Sequence, residues 1–454
     1  MNTVTRYLCS SVYFDWNLRK EVIELFNDKH VNLADPYRVD MKELFKHAHN
    51  AEKKTRNIYI SLFILTVIFL ILVFDAPLLA FGVFIVAAIL AFIHDYTVEK
   101  VILRDVFKGS QNPDRIVKLS QKTLEKILAK RDQVPDNIIC YGDFNPFVGS
   151  GIELENWSFT IDIDKGKKEL GVILEPLDFE VNELNEYVRH SLEQLSFNLS
   201  TNDRWFINGK RIRENGFFLP DIYSHASVKV DNALLSTISK NSQECRFYNQ
   251  ITVYDWNDEI VLNIFLRFCK TQRSLFIEAN HFLLLPIDEK YKKIDSMKYN
   301  LKLSEQVSLF FKSFFLTPYY CLISILQVLS YTADALGSFF NGGSEKLRLK
   351  EVKDNPNYNY GTLKGIRQMA AKNEYNELFQ RLDKEMYAKT LEKRILSSII
   401  NFLEERNIDV SEFREREQSI LNNGVIMTGG SMKAENIAVG KNAKTANFFR
   451  REQT

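Results

Sequence analysis

The feature that most constrains this chain is one apolar run, NIYISLFILTVIFLILVFDAPLLAFGVFIVAAILAFIHDY, from Asn57 to Tyr96. The 36 residues from Ile58 to Ile93 hold a single charge, Asp75. As one helix rising ~1.5 Å per residue they would extend ~54 Å, against a hydrocarbon core of ~30 Å. Asp75 would then sit near the bilayer centre, at roughly 2.5–3.5 kcal/mol on insertion scales. Splitting the run at Asp75-Ala76-Pro77 removes both problems. Each half stays near the lower span limit of about 17 residues. Asp75 reaches the far interface, and Pro77 falls in a first helical turn, where its missing N–H does no harm. Apolar side chains cover every face, unlike a hairpin with one buried stripe. We expect two spans.

The flanks give the orientation. Lys42, Lys46, Lys53, Lys54 and Arg56 precede the first span, and Lys100, Arg104 and Lys108 follow the second, while the turn has no Lys or Arg. The positive-inside rule then puts both termini in the cytoplasm, anchored in the inner membrane of a multi-pass protein. The run starts too late and is too long for a cleaved signal peptide.

At 454 residues, two or three soluble modules fit beside the hairpin. The net charge of +1 excludes a global field for nucleic acid, so a basic site must be local. Cys9, Cys140, Cys245, Cys269 and Cys321 are scattered without a C-x-x-C pair, and they read as reduced cytosolic thiols. His47 and His49 are two apart, which points their rings away from each other on a helix. No metal site is expected there.

Residues 1–56 read as two helices, WNLRKEVIELFND and DMKELFKHAHNAEKKTR, with Asp40 and Glu43 forming a capping box. Residues 57–95 are the transmembrane hairpin. Residues 96–135 read as a helical stalk: the second span runs on to Lys108, breaks at GSQNPD, and resumes as RIVKLSQKTLEKILAKR. Residues 136–290 change to strand-like runs around one helix, an α+β domain with a largely antiparallel sheet. Within it, RWFINGKRIR carries Asn208-Gly209, which predicts a β-hairpin. From Ser313 to Ala333 no residue is charged, which is long enough to span. Lys312, Pro318, Gln327 and Asp334 interrupt it, and a third span would put the C-terminus outside. An amphipathic or re-entrant segment over 303–341 is therefore preferred to a true span or a soluble core helix. A polar linker leads to helices at 362–423. The tail at 424–454 resembles one rung of a β-roll, which must stack on neighbours, most simply the same tail of other subunits. A plain unstructured tail is the alternative. The fold class is thus a multi-pass membrane protein with an N-terminal helical hairpin, a cytoplasmic α+β domain and C-terminal helices with a β-like tail.

Chemical motifs are sparse. In YGDFNPFVGSG, Gly149-Ser150-Gly151 lacks the Lys-Ser/Thr of a phosphate loop and the G-x-S-x-G of a nucleophile elbow. It reads as a shaped loop over Phe144, Phe147 and Trp157. Asp162 and Asp164 share a strand face beside Lys165, Lys167 and Lys168, a solvated sheet end. No catalytic constellation, metal site or cofactor is expected. The best binding candidate is Arg204, Trp205, Lys210, Arg211 and Arg213, cations beside aromatics that suit a single-stranded nucleic acid. The bland reading puts Trp205 inward with the cations solvating a turn.

RYLCSSVYFD, the double span, YGDFNPFVGSG with WSFTIDI, and ILNNGVIMTGGSMKAENIAVG together resemble a group of bacterial, notably actinobacterial, two-span membrane proteins. No activity comes with that resemblance. In architecture the chain also resembles the transmembrane effectors of anti-phage systems, in particular the effector of the Hailong system. That resemblance implies a homo-oligomeric pore, held shut by DNA oligomers from a partner nucleotidyltransferase and released during infection. The tail leads us to expect a tetramer. The competing expectations are a non-catalytic scaffold that recruits a cytosolic partner and, behind it, a lipid-processing enzyme beneath Ser313–Ala333.

Overall fold

The computed structural model describes residues 1–108, 113–241, 245–340 and 344–421; the expected β-like tail at 424–454 lies outside these. Helix α1 (Thr3–Ser11), which the sequence reading missed, is capped by Asn2. Asp15 caps α2 (Trp16–Asn27). Helix α3 (Met41–Asp75) runs unbroken from this N-terminal body into the first apolar segment, so the expected boundary at residue 56 is not a structural break. Asp40 caps it by accepting from the Glu43 N–H at 3.1 Å. The other half of the capping box is absent, because Glu43 takes Lys46 at 2.7 Å and the Asp40 N–H goes to Thr5.

Helix α4 (Pro77–Tyr96) begins directly after Ala76, with Pro77 in its first turn, as the hairpin reading required. The chain continues as a π-helix over Thr97–Lys108. Its Ile102, Leu103, Val106 and Phe107 are buried with Leu8, Leu44 and Phe45 in the core of the N-terminal body. Ser120 caps α5 (Gln121–Arg131), whose Ile127 joins that core. The described residues between 96 and 131 are therefore part of a packed body and do not form a free stalk.

The sheet comprises β1 (Ile138–Tyr141), β2 (Ile152–Glu153), β3 (Trp157–Asp162), then, after the small separate hairpin β4 (Lys168–Glu169) and β5 (Val172–Ile173), β6 (Leu199–Asn208), β7 (Cys245–Asp255), β8 (Ile260–Lys270) and β9 (Ser274–Leu284). Its order is β1-β6-β7-β8-β9-β2, with β3 also on β9. The β1–β6 pairing is parallel and the others are antiparallel, so the sheet is mixed. Helices α6 (Val181–Glu193) and α7 (Asn232–Asn241) fall between strands, and α8 (Lys293–Ser296) follows the last.

Helix α9 (Leu303–Phe340) is continuous through Pro318. A re-entrant segment would have to break and reverse, and α9 does neither. Among the described residues, three helices are long and apolar enough to cross a membrane: α3, α4 with its π-helical continuation, and α9. The stretch read as a polar linker contains α10 (Ser344–Asp354). Short α11 (Ile366–Met369) precedes α12 (Leu378–Glu404) and α13 (Ser411–Leu421).

Alternation in the long strands builds two cores. Ile251, Val253, Leu262, Ile264, Leu266, Leu275 and Ile277 face α6, α12 and α13. The opposite face carries Phe206, Tyr248, Phe265 and Phe282 around Phe147. Hence the α+β domain does not close at residue 290, since α12 and α13 complete the cover that α6 begins. A parallel bridge of Tyr141 to Thr362 and an antiparallel one of Ile287 to Ala371 tie the C-terminal part to the sheet.

Candidate functional site

The five residues singled out for an anionic ligand do not form a hairpin. After Asn208 the chain leaves the sheet, and β6 pairs instead with β7 and β1. Gly209 donates to the Tyr141 carbonyl, and a Cβ on it would meet the Gly361 nitrogen at 2.1 Å. The Asn-Gly pair serves a close backbone approach, and Gly209 is not among the glycines with positive φ. Arg204 is buried in an ion pair with Asp35 at 2.6 Å, with its Nε on Gln250 at 2.7 Å. Trp205 is 5% exposed, and its indole N–H donates to Asn232 at 3.1 Å. No base can stack on it in this arrangement. Arg213 donates to the Val352, Lys353 and Asn355 carbonyls. Lys210 and Arg211 are the two exposed cations of the set.

In the Tyr141–Gly151 loop, Phe147 is the centre of the aromatic cluster, 4.4 Å from Phe265. Phe144 is 98% exposed, contrary to the expectation that it packs beneath. Ser150 is buried 2.6 Å from the Tyr37 hydroxyl, a structural bond between two distant loops. Asp162 pairs with Lys165, and Asp164 lies 3.9 Å from Arg273, a solvated sheet end. His47 is buried with its Nδ1 3.0 Å from Tyr13.

The densest unexpected chemistry lies where the apolar helices meet the folded body. Asp95, near the end of α4, accepts from Ser313 at 2.7 Å and from Tyr320 at 3.2 Å, both on α9. Arg19, buried on α2, holds Glu52 of α3 at 3.1 Å, and Tyr331 of α9 reaches the same carboxylate at 3.4 Å. Between these two locks is a cavity of about 290 Å³ lined by Arg19, Tyr59, His94, Asp95, Lys312 and Tyr320 among others. Ring contacts of Phe310 with Phe92 and of Phe314 with Phe84 continue the seam. Every element of this junction contributes one end of a polar bond, so displacing α9 means breaking both locks. The sequence shows the signal only as polar residues inside apolar runs, Asp95 and Tyr320 among them.

These features are consistent with a membrane protein that carries an α/β domain with a mixed sheet. Residues 156–433 match the AbeC-like domain, more than half of the chain, and the protein belongs to that family. AbeC-type proteins relate to abortive infection, consistent with an anti-phage protein. No curated protein and no solved structure matches the chain. The matched residues start just before β3 and include α9, so they hold β3 and β6–β9 of the sheet, the third apolar helix and the C-terminal cover, while β1 and β2 precede them.

Proposed function

We propose that this protein is a non-enzymatic effector of abortive infection that acts on the bacterial inner membrane as a ligand-controlled homo-oligomeric pore. The observation that carries this reading is the pair of polar locks, Asp95 with Ser313 and Tyr320, and Glu52 with Arg19 and Tyr331. They couple a helix of the family domain to a hairpin that precedes it. A ligand that favours the locked arrangement would hold the effector inactive, and its removal would shift the population. The resting ligand is a nucleic acid, a single-stranded DNA oligomer made by a partner nucleotidyltransferase, and its contact is narrowed to Lys210 and Arg211. One hairpin per subunit cannot enclose a conduit, so a pore needs several copies, here four, with the tail after Asn423 aiding assembly. Both termini are cytoplasmic, and α9 lies along the inner leaflet.

The test combines two measurements on the intact protein. Nucleic-acid extraction with mass photometry asks for a bound oligonucleotide and a tetramer, and truncation at Asn423 is expected to weaken that tetramer. A potential-sensitive dye asks whether expression of an Asp95→Asn variant depolarises cells without phage. Ligand-free monomers together with an unchanged potential would sink the reading. The alternative, a non-catalytic scaffold, draws on the exposed apolar start of α12, where Leu378, Phe379, Leu382 and Met386 face outward. It expects loss of partner capture without depolarisation.

A further inference from the structure

A second groove, of about 280 Å³, opens where the π-helical continuation of α4 meets the first turns of α9. Glu99, Arg104, Ser304, Glu305, Ser308 and Lys312 supply its polar groups. Their bonds are incomplete in one direction only. Glu99 is taken by Lys293 at 2.6 Å. Arg104 is buried, donates to the Lys298 carbonyl at 2.6 Å, and stands 3.7 Å from Glu305, too far for a hydrogen bond. Its Nε has no partner. Lys312 is exposed and makes no ion pair among the described residues. Ser304, Ser308 and Lys312 recur every four residues, which stacks them along one face of α9. Ser304 lies in the first helical turn, where backbone N–H groups lack intrahelical acceptors. The groove thus sets two cations against two carboxylates, with Glu99 taken by Lys293 and Glu305 accepting from the Lys302 N–H. Its spare donors are the Arg104 Nε and the Lys312 ammonium, and an under-satisfied buried guanidinium is costly unless an acceptor completes it.

Its depth narrows the ligand. The 20 residues of α4 from Pro77 to Tyr96 reach ~30 Å, one hydrocarbon thickness. Glu99 and Arg104 follow just beyond that point. Lys312 adjoins Ser313, which is bonded to Asp95 at the same level. Alongside, Leu303, Val307, Phe311 and Phe315 expose apolar side chains. Charged donors at the headgroup layer with an apolar track beside them match an amphiphile.

We propose that this groove binds the phosphate of an anionic glycerophospholipid, with Lys312, Arg104 and the Ser304 and Ser308 hydroxyls on the phosphate and the acyl chains along Val307, Phe311 and Phe315. The assignment rests on the hairpin lying in a bilayer and on nothing about pore opening, so it can fail while the effector reading stands. Free phosphate shares the headgroup chemistry, and the experiment separates the two.

Full-length protein is purified in mild detergent, incubated with dioleoylphosphatidylglycerol or dioleoylphosphatidylcholine, and read by native mass spectrometry. Wild type is expected to retain phosphatidylglycerol in preference to phosphatidylcholine. Lys312→Gln, an exposed change that leaves the core intact, should lower apparent affinity about fivefold, the effect of one cation near a membrane surface. Lys312→Arg should restore it, and the Ser304→Ala/Ser308→Ala pair should weaken it as well. Equal retention by wild type and Lys312→Gln, or of the two lipids, overturns the proposal. Displacement of the lipid by millimolar inorganic phosphate assigns the groove to the free anion and also overturns it.

Discussion

His281 of β9 and Glu392 of α12 meet inside the seam that seals the sheet, with Nε2 3.2 Å from Oε1. Burial pushes the Glu392 carboxyl up from 4.5 to about 7 and the His281 imidazole down from 6.5 to about 4. Both shifts favour a neutral pair. A carboxyl whose folded pKa is raised contributes stability in full below about pH 4.5 and loses it as pH rises through 7. The lowered histidine does the reverse, contributing above pH 6.5 and losing its share as pH falls toward 4. We therefore predict that Glu392→Gln, neutral at every pH, matches wild type near pH 5 but is more stable at pH 8. With the Glu392 side chain 17% exposed, the gain should be about 1–3 kcal/mol. Thermal unfolding at the two pH values checks this, and a pH-independent difference refutes the neutral pair. A second residue-scale prediction concerns Gly209. Because a Cβ there would meet the Gly361 nitrogen at 2.1 Å, Gly209→Ala should cost about 1–3 kcal/mol of strain, read as a lowered denaturation midpoint. The same contact explains why RWFINGKRIR misled the sequence reading. Asn-Gly is equally good for a turn and for a close approach of two chains, and the partner, Gly361, lies about 150 residues away.

At the scale of elements, the hairpin was readable because its cause is local. Bilayer thickness, one carboxylate and one proline settle the break at Ala76. Helix α9 is harder to read, since its length and composition fit a span. The segments on either side of it join one body: Lys298 holds Arg104 before it, and Thr362 bridges Tyr141 after it. Tyr331, late in α9, reaches back to Glu52, well before the apolar part of α3. A helix that crossed the bilayer would leave its ends on opposite sides. We predict that both ends are labelled from the same side. With the exposed native Cys269 as reference for the sheet domain, and then in a Cys269→Ser background, cysteines at Tyr299 and Leu347 should react with an impermeant maleimide in vesicles of one orientation only. Opposite accessibility of the two sites would establish a third crossing.

On the scale of the whole molecule, the sequence divided into modules what the fold joins. The break near residue 290 looked like a domain boundary because composition changes there, yet Leu391, Ile395, Ile399 and Phe402 of α12 complete the core over β7, β8 and β9. Such pairing is non-local and leaves no periodic trace in either segment. The candidate ligand surface suffered in the same way: only its first half, up to Asn208, is a strand, and which face is inward depends on Asp35 from a loop and Asn232 at the start of α7. What survives, Lys210 and Arg211, yields a discriminating prediction. If they contact phosphates of a single-stranded DNA oligomer, each lost contact should flatten the log–log salt dependence of binding by roughly 0.7. Lys210→Ala/Arg211→Ala should then bind more weakly at low salt with a slope reduced by roughly 1.4. Trp205→Phe serves as the control, since a buried indole reads as stability loss with an unchanged salt slope. In cells, an effector restrained by that ligand becomes toxic and depolarising when the double variant is expressed without phage. A scaffold with the same substitutions stays harmless. Wild-type affinity and slope in the double variant would move the ligand to another surface of the family domain.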